Sequence, residues 1–168
     1  MTAETITTVA LSFVGNREKP GNTGFVNPDF QKLMNAAGWY MKAPWCAFFT
    51  RVILVIVFAL DHRLAVIKRC CSGNAQQTFK NFKAEGTFKT GMIPKDGALA
   101  VWQFGNSTAG HIGLVVKGDH SFNTMQTVEG NTNGNGSREG DQVAIKLRTI
   151  NRPRTDKGLN LIGFIYLV

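Results

Sequence analysis

The sequence predicts an α+β domain in which helices come first and an antiparallel β-sheet of about five strands follows. In the first half of the chain, apolar residues recur at the spacing of a helix face. From residue 97 onward, short strand-like runs alternate with Gly, Asn, Asp and Pro, and the connections between the runs are short. Short connections favour antiparallel pairing, and helices followed by strands are typical of the α+β class. The length of 168 residues fits one domain spanning residues 1–168.

The first two helices are predicted from their apolar faces and their ends. Gly15 provides the stop of the first helix. The second helix opens with Asn27 as N-cap and Pro28 at the first helical position, and Gly38 closes it. The apolar faces are Ile6, Val9, Ala10 and Phe13 in the first helix, and Phe30, Leu33, Met34 and Ala37 in the second.

A third helix is predicted to start at Pro44 and to run through WCAFFTRVILVIVFAL. It is apolar on nearly every side, which indicates a helix at the centre of the domain, although its β-branched run also fits a strand. The next segment, DHRLAVIKRCC, either continues this helix or forms a separate turn. A fourth helix begins with Asn74 as its cap, turns Phe79 and Phe82 inward and ends at Gly86.

The predicted strands occupy the remainder of the chain. They are separated by turn residues, and one biased stretch between two of them, GNTNGNGSREGD at 130–141, is interpreted as a loop. The strand-like runs are GALAVWQF, HIGLVVKG, FNTMQTVEG, QVAIKLRTI and LIGFIYLV.

Charge and cysteine content narrow the class of protein. The formal net charge of +8, from 19 basic and 11 acidic side chains, favours polyanionic partners such as nucleic acid, anionic membrane or bacterial wall polymers. The three cysteines are odd in number and two are adjacent, so they do not form a secreted disulfide framework, and none has zinc-site spacing. The longest apolar run, Val52 to Leu60, has nine residues, whereas a bilayer span needs about 20.

The N-terminal segment lacks the basic and apolar regions of a secretory signal. We therefore expect synthesis in the cytoplasm, and an extracellular target would be reached after release or delivery. A monomer is expected.

Cys46 is the first candidate for chemistry. It follows Pro44 and Trp45 at the predicted start of the third helix, where unpaired amide groups and the positive helix end favour a thiolate over a thiol. A nucleophilic cysteine requires that form. On position alone, a buried structural cysteine remains the alternative.

His111 is the candidate base. It opens a predicted strand, and the next strand carries Glu129 and Asn131, whose side chains share a face at i and i+2. A nucleophile, a base and an orienting acceptor are the parts of a cysteine hydrolase site. His62 and His120 have no such neighbours and are interpreted as surface or core histidines.

The order of these motifs resembles the CHAP family, the cysteine, histidine-dependent amidohydrolases and peptidases. The stretches that carry the resemblance are PWCAFFT, PKDGALAVWQF leading into GHIGLVV, and TVEGNTN. REKPGNTG, ahead of the second helix, is also similar to the N-terminal part of many members. The resemblance runs from about residue 15 to the C-terminus and implies a papain-like fold that cleaves amide bonds in peptidoglycan.

The resemblance also implies residue roles. Cys46 is the nucleophile, with its backbone N–H as an oxyanion donor, and His111 is the general base. Glu129 orients the imidazole, and Asn131 supports the site or the oxyanion. Tyr40 and Trp45 are candidates to line the substrate cleft, with a place in the core as the alternative for each.

One departure from the family concerns calcium, which some members bind through an aspartate-rich loop before the cysteine. Residues 34–45 (MNAAGWYMKAPW) contain no carboxylate, while calcium takes about six to eight oxygen ligands. We therefore expect an enzyme without metal or cofactor.

The resulting expectation is a phage-endolysin-like peptidoglycan hydrolase, either an N-acetylmuramoyl-L-alanine amidase or an endopeptidase. A delivered antibacterial toxin with the same chemistry is an alternative, as is a cysteine enzyme that acts on a host protein. A non-catalytic polyanion-binding protein is the alternative from another class, and its nucleic-acid patch would consist of Lys146, Arg148, Arg152, Arg154 and Lys157.

Overall fold

A computed structural model describes residues 1–119, 121–132 and 140–168, in which helices come first and strands second. The predicted α+β class is thereby confirmed. His120 and residues 133–139 of the expected 130–141 loop lie outside the described residues. Within the described ranges the helices are α1 (Ala3–Leu11), α2 (Pro28–Ala36), α3 (Cys46–Val57), α4 (Leu64–Cys70) and α5 (Ala75–Glu85). The strands are β1 (Thr90–Gly91), β2 (Leu99–Phe104), β3 (Gly110–Asp119), β4 (Thr124–Thr132), β5 (Gln142–Thr149) and β6 (Leu159–Ile165).

The ends of α2 and α5 follow from local side-chain chemistry. The Asn27 side chain accepts hydrogen bonds from the first-turn amides of α2, and Pro28 occupies the first helical position. The Asn74 side chain accepts from Gln77 N at 2.9 Å, and Gly86 ends α5 in the left-handed region with φ 85°. These predicted helix ends are confirmed.

The apolar third segment is a helix rather than a strand, and its predicted start at Pro44 falls two residues before the observed one at Cys46. The chain then turns at Asp61, whose carboxylate accepts hydrogen bonds from the backbone N and the guanidinium of Arg63. This local bonding separates α3 from α4, so the DHRLAVIKRCC segment forms a helix of its own.

The strands form one antiparallel sheet in the order β1-β6-β2-β3-β4-β5. The sixth strand, β1, has only two residues, and Thr90 pairs with Ile165 of β6. So short a strand has no alternating pattern of its own, which explains why about five strands are expected from the sequence.

Both faces of the sheet carry clusters of buried apolar side chains. Helix α3 packs against β3 and β4, with Ile112, Leu114 and Val128 in the same core cluster. Because side chains alternate along a strand, His111 and Gly113 lie on the opposite face from Ile112 and Leu114. That second face holds a smaller cluster of apolar side chains: Ala98, Ala100, Trp102, Val115, Met125, Ile150 and Phe164.

A glycine lets α3 approach the sheet closely beside the site. A Cβ on Gly130 of β4 would lie 2.6 Å from a ring carbon of Trp45 and 2.8 Å from Phe49. The lack of a side chain therefore brings the start of α3 against the C-terminal end of β4. Across the described part of the chain, no helix has the length and apolarity needed to span a bilayer.

Candidate active site

Cys46 is the first residue of α3 and is almost fully buried. The preceding residue, Trp45, occupies the N-cap position, where its indole N–H can only donate a hydrogen bond and does so to Glu18 Oε2 at 2.6 Å. An indole cannot accept from the first-turn amides in the way that a Ser or Asp cap does. The positive end of α3 is therefore directed at the thiol and at whatever binds beside it.

His111 contacts both Cys46 and Glu129. Its Nε2 lies 2.8 Å from Glu129 Oε2 in a buried contact, and its other hydrogen-bond partner is the Cys46 side chain. Since Glu129 engages Nε2, Nδ1 is the ring nitrogen left for the thiol. The structure therefore brings together the three residues predicted as nucleophile, base and orienter.

The electrostatics of this contact favour an imidazolium. Burial alone would lower the pKa of His111, but the Cys46 charge, then the hydrogen bonds to Cys46 and Glu129, hold it well above its ordinary value. An imidazolium between two acidic partners is the protonation state needed for a thiolate nucleophile.

A glycine on β3 makes room for the Glu129 side chain. A Cβ on Gly113 would lie 2.6 Å from Glu129 Cγ, so a larger residue there would displace the carboxylate. Glu129 is fully buried, and the Thr127 hydroxyl donates to its Oε1 at 2.6 Å. The carboxylate is therefore held in one orientation beneath the imidazole.

Arg148 is a fourth member of the site that the sequence did not reveal. From β5, its Nε donates to Glu129 Oε1 at 2.7 Å, and its Nη2 donates to Oε2 at 2.5 Å. Its guanidinium also lies over the Trp102 ring, at 5.6 Å from the centroid, and that ring neighbours His111. Arg148 is half-buried and clamps both oxygens of the carboxylate, sharing Oε2 with the imidazole.

The clamp keeps Glu129 ionised. Burial opposes the charge, but the hydrogen bonds from Arg148 and then His111 hold the pKa of Glu129 far below its usual range. The pKa of Arg148 is raised in turn: burial opposes its charge, but Glu129 more than offsets this. The four side chains thus form an alternating row of charges, in which each acid contacts a cation.

Asn131 follows Glu129 but does not continue the regular strand. The register of β4 against β5 shifts between Glu129 and Thr132, and Asn131 itself has a left-handed backbone with φ 54°. The regular alternation expected from the sequence is interrupted at this residue, and Asn131 lines the cleft next to Cys46.

A cleft of about 1000 Å³ opens beside Cys46 and His111. Tyr40 lines it with a side chain that is 68 % exposed, as expected for a residue that contacts substrate. Trp45, the other candidate, is fully buried in the core and contacts Phe25 and Phe49. Its assignment to the cleft surface is wrong, because the indole that precedes the nucleophile packs inward.

The other two cysteines have different surroundings. Both are buried, and desolvation raises the pKa of Cys70 and raises that of Cys71 to about 12. A thiol that stays protonated is a poor nucleophile. His62 is exposed, and its Nδ1 lies 3.5 Å from Oδ1 of the neighbouring Asp61.

The basic side chains proposed for nucleic-acid binding do not form one free surface. Arg148 turns inward to Glu129, and Arg154 donates to Gln103 Oε1 at 2.7 Å and to the backbone oxygen of Gly105 at 3.1 Å. Arg152 and Lys157 line the cleft. This arrangement disfavours the phosphate-binding patch. Among the residues the structure describes, no group of three or more potential metal ligands occurs.

The clamp predicts a specific loss of stability. Replacing Arg148 with methionine leaves a buried carboxylate with one cation instead of two, and we expect the free energy of unfolding to fall by about 3 kcal/mol. Arg148→Lys keeps the charge but loses the two-pronged contact, so its free energy of unfolding should fall by less than that of Arg148→Met. Urea unfolding at neutral pH measures both values.

Arg69 provides the matched control, because its side chain, which pairs with Glu85, is 62 % exposed to solvent, whereas the Glu129 that Arg148 contacts is fully buried. Arg69→Met should change the free energy of unfolding by at most about 1 kcal/mol. Equal losses in Arg69→Met and Arg148→Met would show that the buried clamp contributes no more than a surface pair.

Comparison with known proteins agrees with this geometry. The family model of the CHAP domain matches residues 36–131, more than half of the chain, and the matched range includes Cys46, His111, Glu129 and Asn131. It is narrower than the range over which the sequence motifs suggest a resemblance, and it ends before Arg148. Searches of curated proteins and of solved structures found no significant match. The chain therefore belongs to the CHAP family, whose members are in general cysteine, histidine-dependent amidohydrolases and peptidases of peptidoglycan.

Proposed function

We propose that this chain cleaves an amide bond of the peptidoglycan peptide by a Cys-His-Glu thiol mechanism. The observation that supports it best is the buried contact of 2.8 Å between His111 Nε2 and Glu129 Oε2, with Cys46 as the second partner of the imidazole. That arrangement holds a base between a nucleophile and an orienting acid at the edge of an open cleft. The bond is either the N-acetylmuramoyl-L-alanine amide or a peptide bond within the stem or cross-link.

In the first step the Cys46 thiolate attacks the carbonyl carbon of the scissile amide, and a C–S bond forms. The carbonyl oxygen takes up the negative charge. The backbone N–H groups in the first turn of α3 are directed at that oxygen, since no side chain at the Trp45 position caps them. Asn131, which lines the same cleft, supplies a side-chain amide that supports the site or the oxyanion.

In the second step the imidazolium of His111 donates its proton to the amide nitrogen, the C–N bond breaks and the amine leaves. His111, now neutral, accepts a proton from water, and the resulting hydroxide attacks the thioester. The C–S bond then breaks, the carboxylic acid leaves, and the Cys46 thiolate is restored beside His111, which already holds the proton taken from water. Glu129 stays ionised throughout and stabilises the imidazolium each time it forms.

The biological setting we propose is that of a phage-endolysin-like enzyme. Such an enzyme is made in the cytoplasm and reaches the wall once the membrane is breached. The net charge of +8 supports this setting, because it favours adhesion to anionic wall material.

Digestion of purified sacculi tests the proposal. We expect new peptide or muropeptide fragments in the mass spectrum, with the new amine and acid ends identifying the bond. Iodoacetamide should block the reaction, and EDTA should leave it unchanged, since residues 34–45 supply no carboxylate for calcium. Intact sacculi after incubation with the folded protein would contradict the proposed function, and EDTA-sensitive cleavage restored by calcium would contradict the metal-free site.

A further inference from the structure

We infer that the cleft selects a wall peptide that carries a free carboxylate within about two residues of the scissile amide, a substrate class that rests on the proposed function. The cationic side chains along one wall of the cleft support this inference. From the sequence alone, these residues are candidates for a nucleic-acid patch.

The two walls of the cleft differ in charge. On the side of α3 and α5 the lining side chains are neutral, among them Tyr40, Phe48 and Ala75. The other side belongs to β5 and to the segment that leads into β6, and no Asp or Glu among the described residues lines either side. The cations on that wall are Lys146, Arg148, Arg152 and Lys157.

The catalytic groups do not cancel this charge. Glu129 is neutralised by its two-pronged contact with Arg148, and in the proposed mechanism the His111 imidazolium neutralises the Cys46 thiolate. An incoming carboxylate therefore meets a catalytic centre with no net negative charge. The cations farther along the wall then determine which charge the cleft prefers.

Arg152 and Lys157 are the cations that remain available to a ligand. The Arg152 guanidinium donates to the backbone oxygen of Leu159, a neutral acceptor that holds the side chain against the cleft without removing its charge. Lys157 is exposed and lies in the same segment. Neither side chain forms a salt bridge with any carboxylate in the described ranges.

The sheet gives the distance of these cations from the reaction. Leu159 pairs with Phe104 of β2, and Phe104 N donates to the backbone oxygen of Ala109, just before His111 on β3. Neighbouring strands lie about 4.8 Å apart and Ala109 is two residues before His111, so the cationic segment begins roughly 12 Å from the base. An extended peptide covers about 3.3 Å per residue, and the long cationic side chains shorten the gap. A carboxylate within about two residues of the scissile bond is therefore in reach.

Wall peptides carry a carboxylate of this kind, and amidation removes its charge. The glutamate of the stem is linked through its γ-carboxyl, which leaves the α-carboxyl free, and amidation converts it into a neutral group of nearly the same shape. A guanidinium and an ammonium both favour the carboxylate, through charge-assisted hydrogen bonds, over the amide. The two forms of the peptide are thus matched probes of the cleft.

Calorimetry on the Cys46→Ala variant tests the inference without turnover. We expect the stem peptide with a free α-carboxyl to bind about tenfold more tightly than its amidated twin. Adding Arg152→Gln and Lys157→Gln should bring this ratio close to one. Lys68→Gln, an exposed residue of α4 outside the cleft, is the control and should leave the ratio unchanged.

Equal affinity for the two peptides would overturn the inference, and so would a preference that survives loss of Arg152 and Lys157. Binding of teichoic acid that needs these two residues, with no acid-over-amide preference, would also overturn it and assign the cations to wall polymer phosphates. Wild-type enzyme that cuts both peptides equally fast refutes the carboxylate preference but leaves the proposed hydrolase intact. Folded enzyme that cuts neither the peptides nor sacculi refutes the hydrolase itself.

Discussion

We expect Cys46→Ala to abolish wall hydrolysis and to leave the fold intact. Removing the nucleophile of a covalent mechanism should lower kcat by at least about 10³-fold, because the remaining groups can only bind and polarise the amide. The substitution removes one sulfur atom at the rim of the cleft, where the side chain is almost fully buried but borders open space. Clearing of a sacculus suspension measures the activity, and circular dichroism measures the fold.

Cys70 and Cys71 supply the matched controls. Both thiols are buried, neither is among the residues that line the cleft, and desolvation raises the pKa of each. Cys70→Ala and Cys71→Ala should therefore keep wall hydrolysis near the wild-type rate. A Cys46→Ala variant that clears sacculi at that rate would refute the assignment of the nucleophile.

Glu129→Gln should lower kcat substantially and shift the alkaline limb of the pH–rate profile downward. The limb reports the loss of the His111 proton, and the carboxylate stabilises the protonated ring. Part of the elevation of the His111 pKa comes from Glu129, so removing that charge must lower the pKa. The variant should therefore lose activity at a lower pH than the wild-type enzyme does. Glu129→Gln also removes the charged partner of Arg148 and lowers stability. The pH–rate profiles are therefore compared at a temperature below the unfolding midpoint of each variant.

Asn131→Ala is the control for this shift. Asn131 lines the cleft at a bulge, and its replacement changes no charge next to the imidazole. The rate should fall through weaker support of the oxyanion, while the limb stays in place. If Asn131→Ala moved the limb and Glu129→Gln did not, the two roles would be reversed.

Local chemistry made much of the fold predictable. The caps at Asn27 and Asn74 and the stop at Gly86 are decided by residues a few positions apart, and the structure has them where expected. The central helix was also recognisable, because α3 is apolar on nearly every side and places eight of its twelve residues in the interior.

The features that were missed depend on distant partners. Arg148 lies nineteen residues from Glu129, and only the pairing of β4 with β5 brings the two side chains together. In the sequence Arg148 is one of five basic residues spread over positions 146–157, a pattern that suggests a basic surface patch rather than a buried clamp. The inward direction of the Trp45 side chain could not be predicted either, because a position just before the nucleophile does not show which way the indole points. Its burial follows from the close approach that Gly130 allows.

Trapping the covalent intermediate tests Cys46 catalysis most directly. A soluble muropeptide is mixed with wild-type enzyme, the reaction is stopped with acid within the first turnover, and the protein is digested and analysed by mass spectrometry. We expect the acyl part of the substrate as an added mass on the peptide that contains Cys46, and none on that peptide in Cys46→Ala. Amide cleavage at the wild-type rate with no adduct on Cys46, or an adduct on Cys70 or Cys71 instead, would contradict the mechanism.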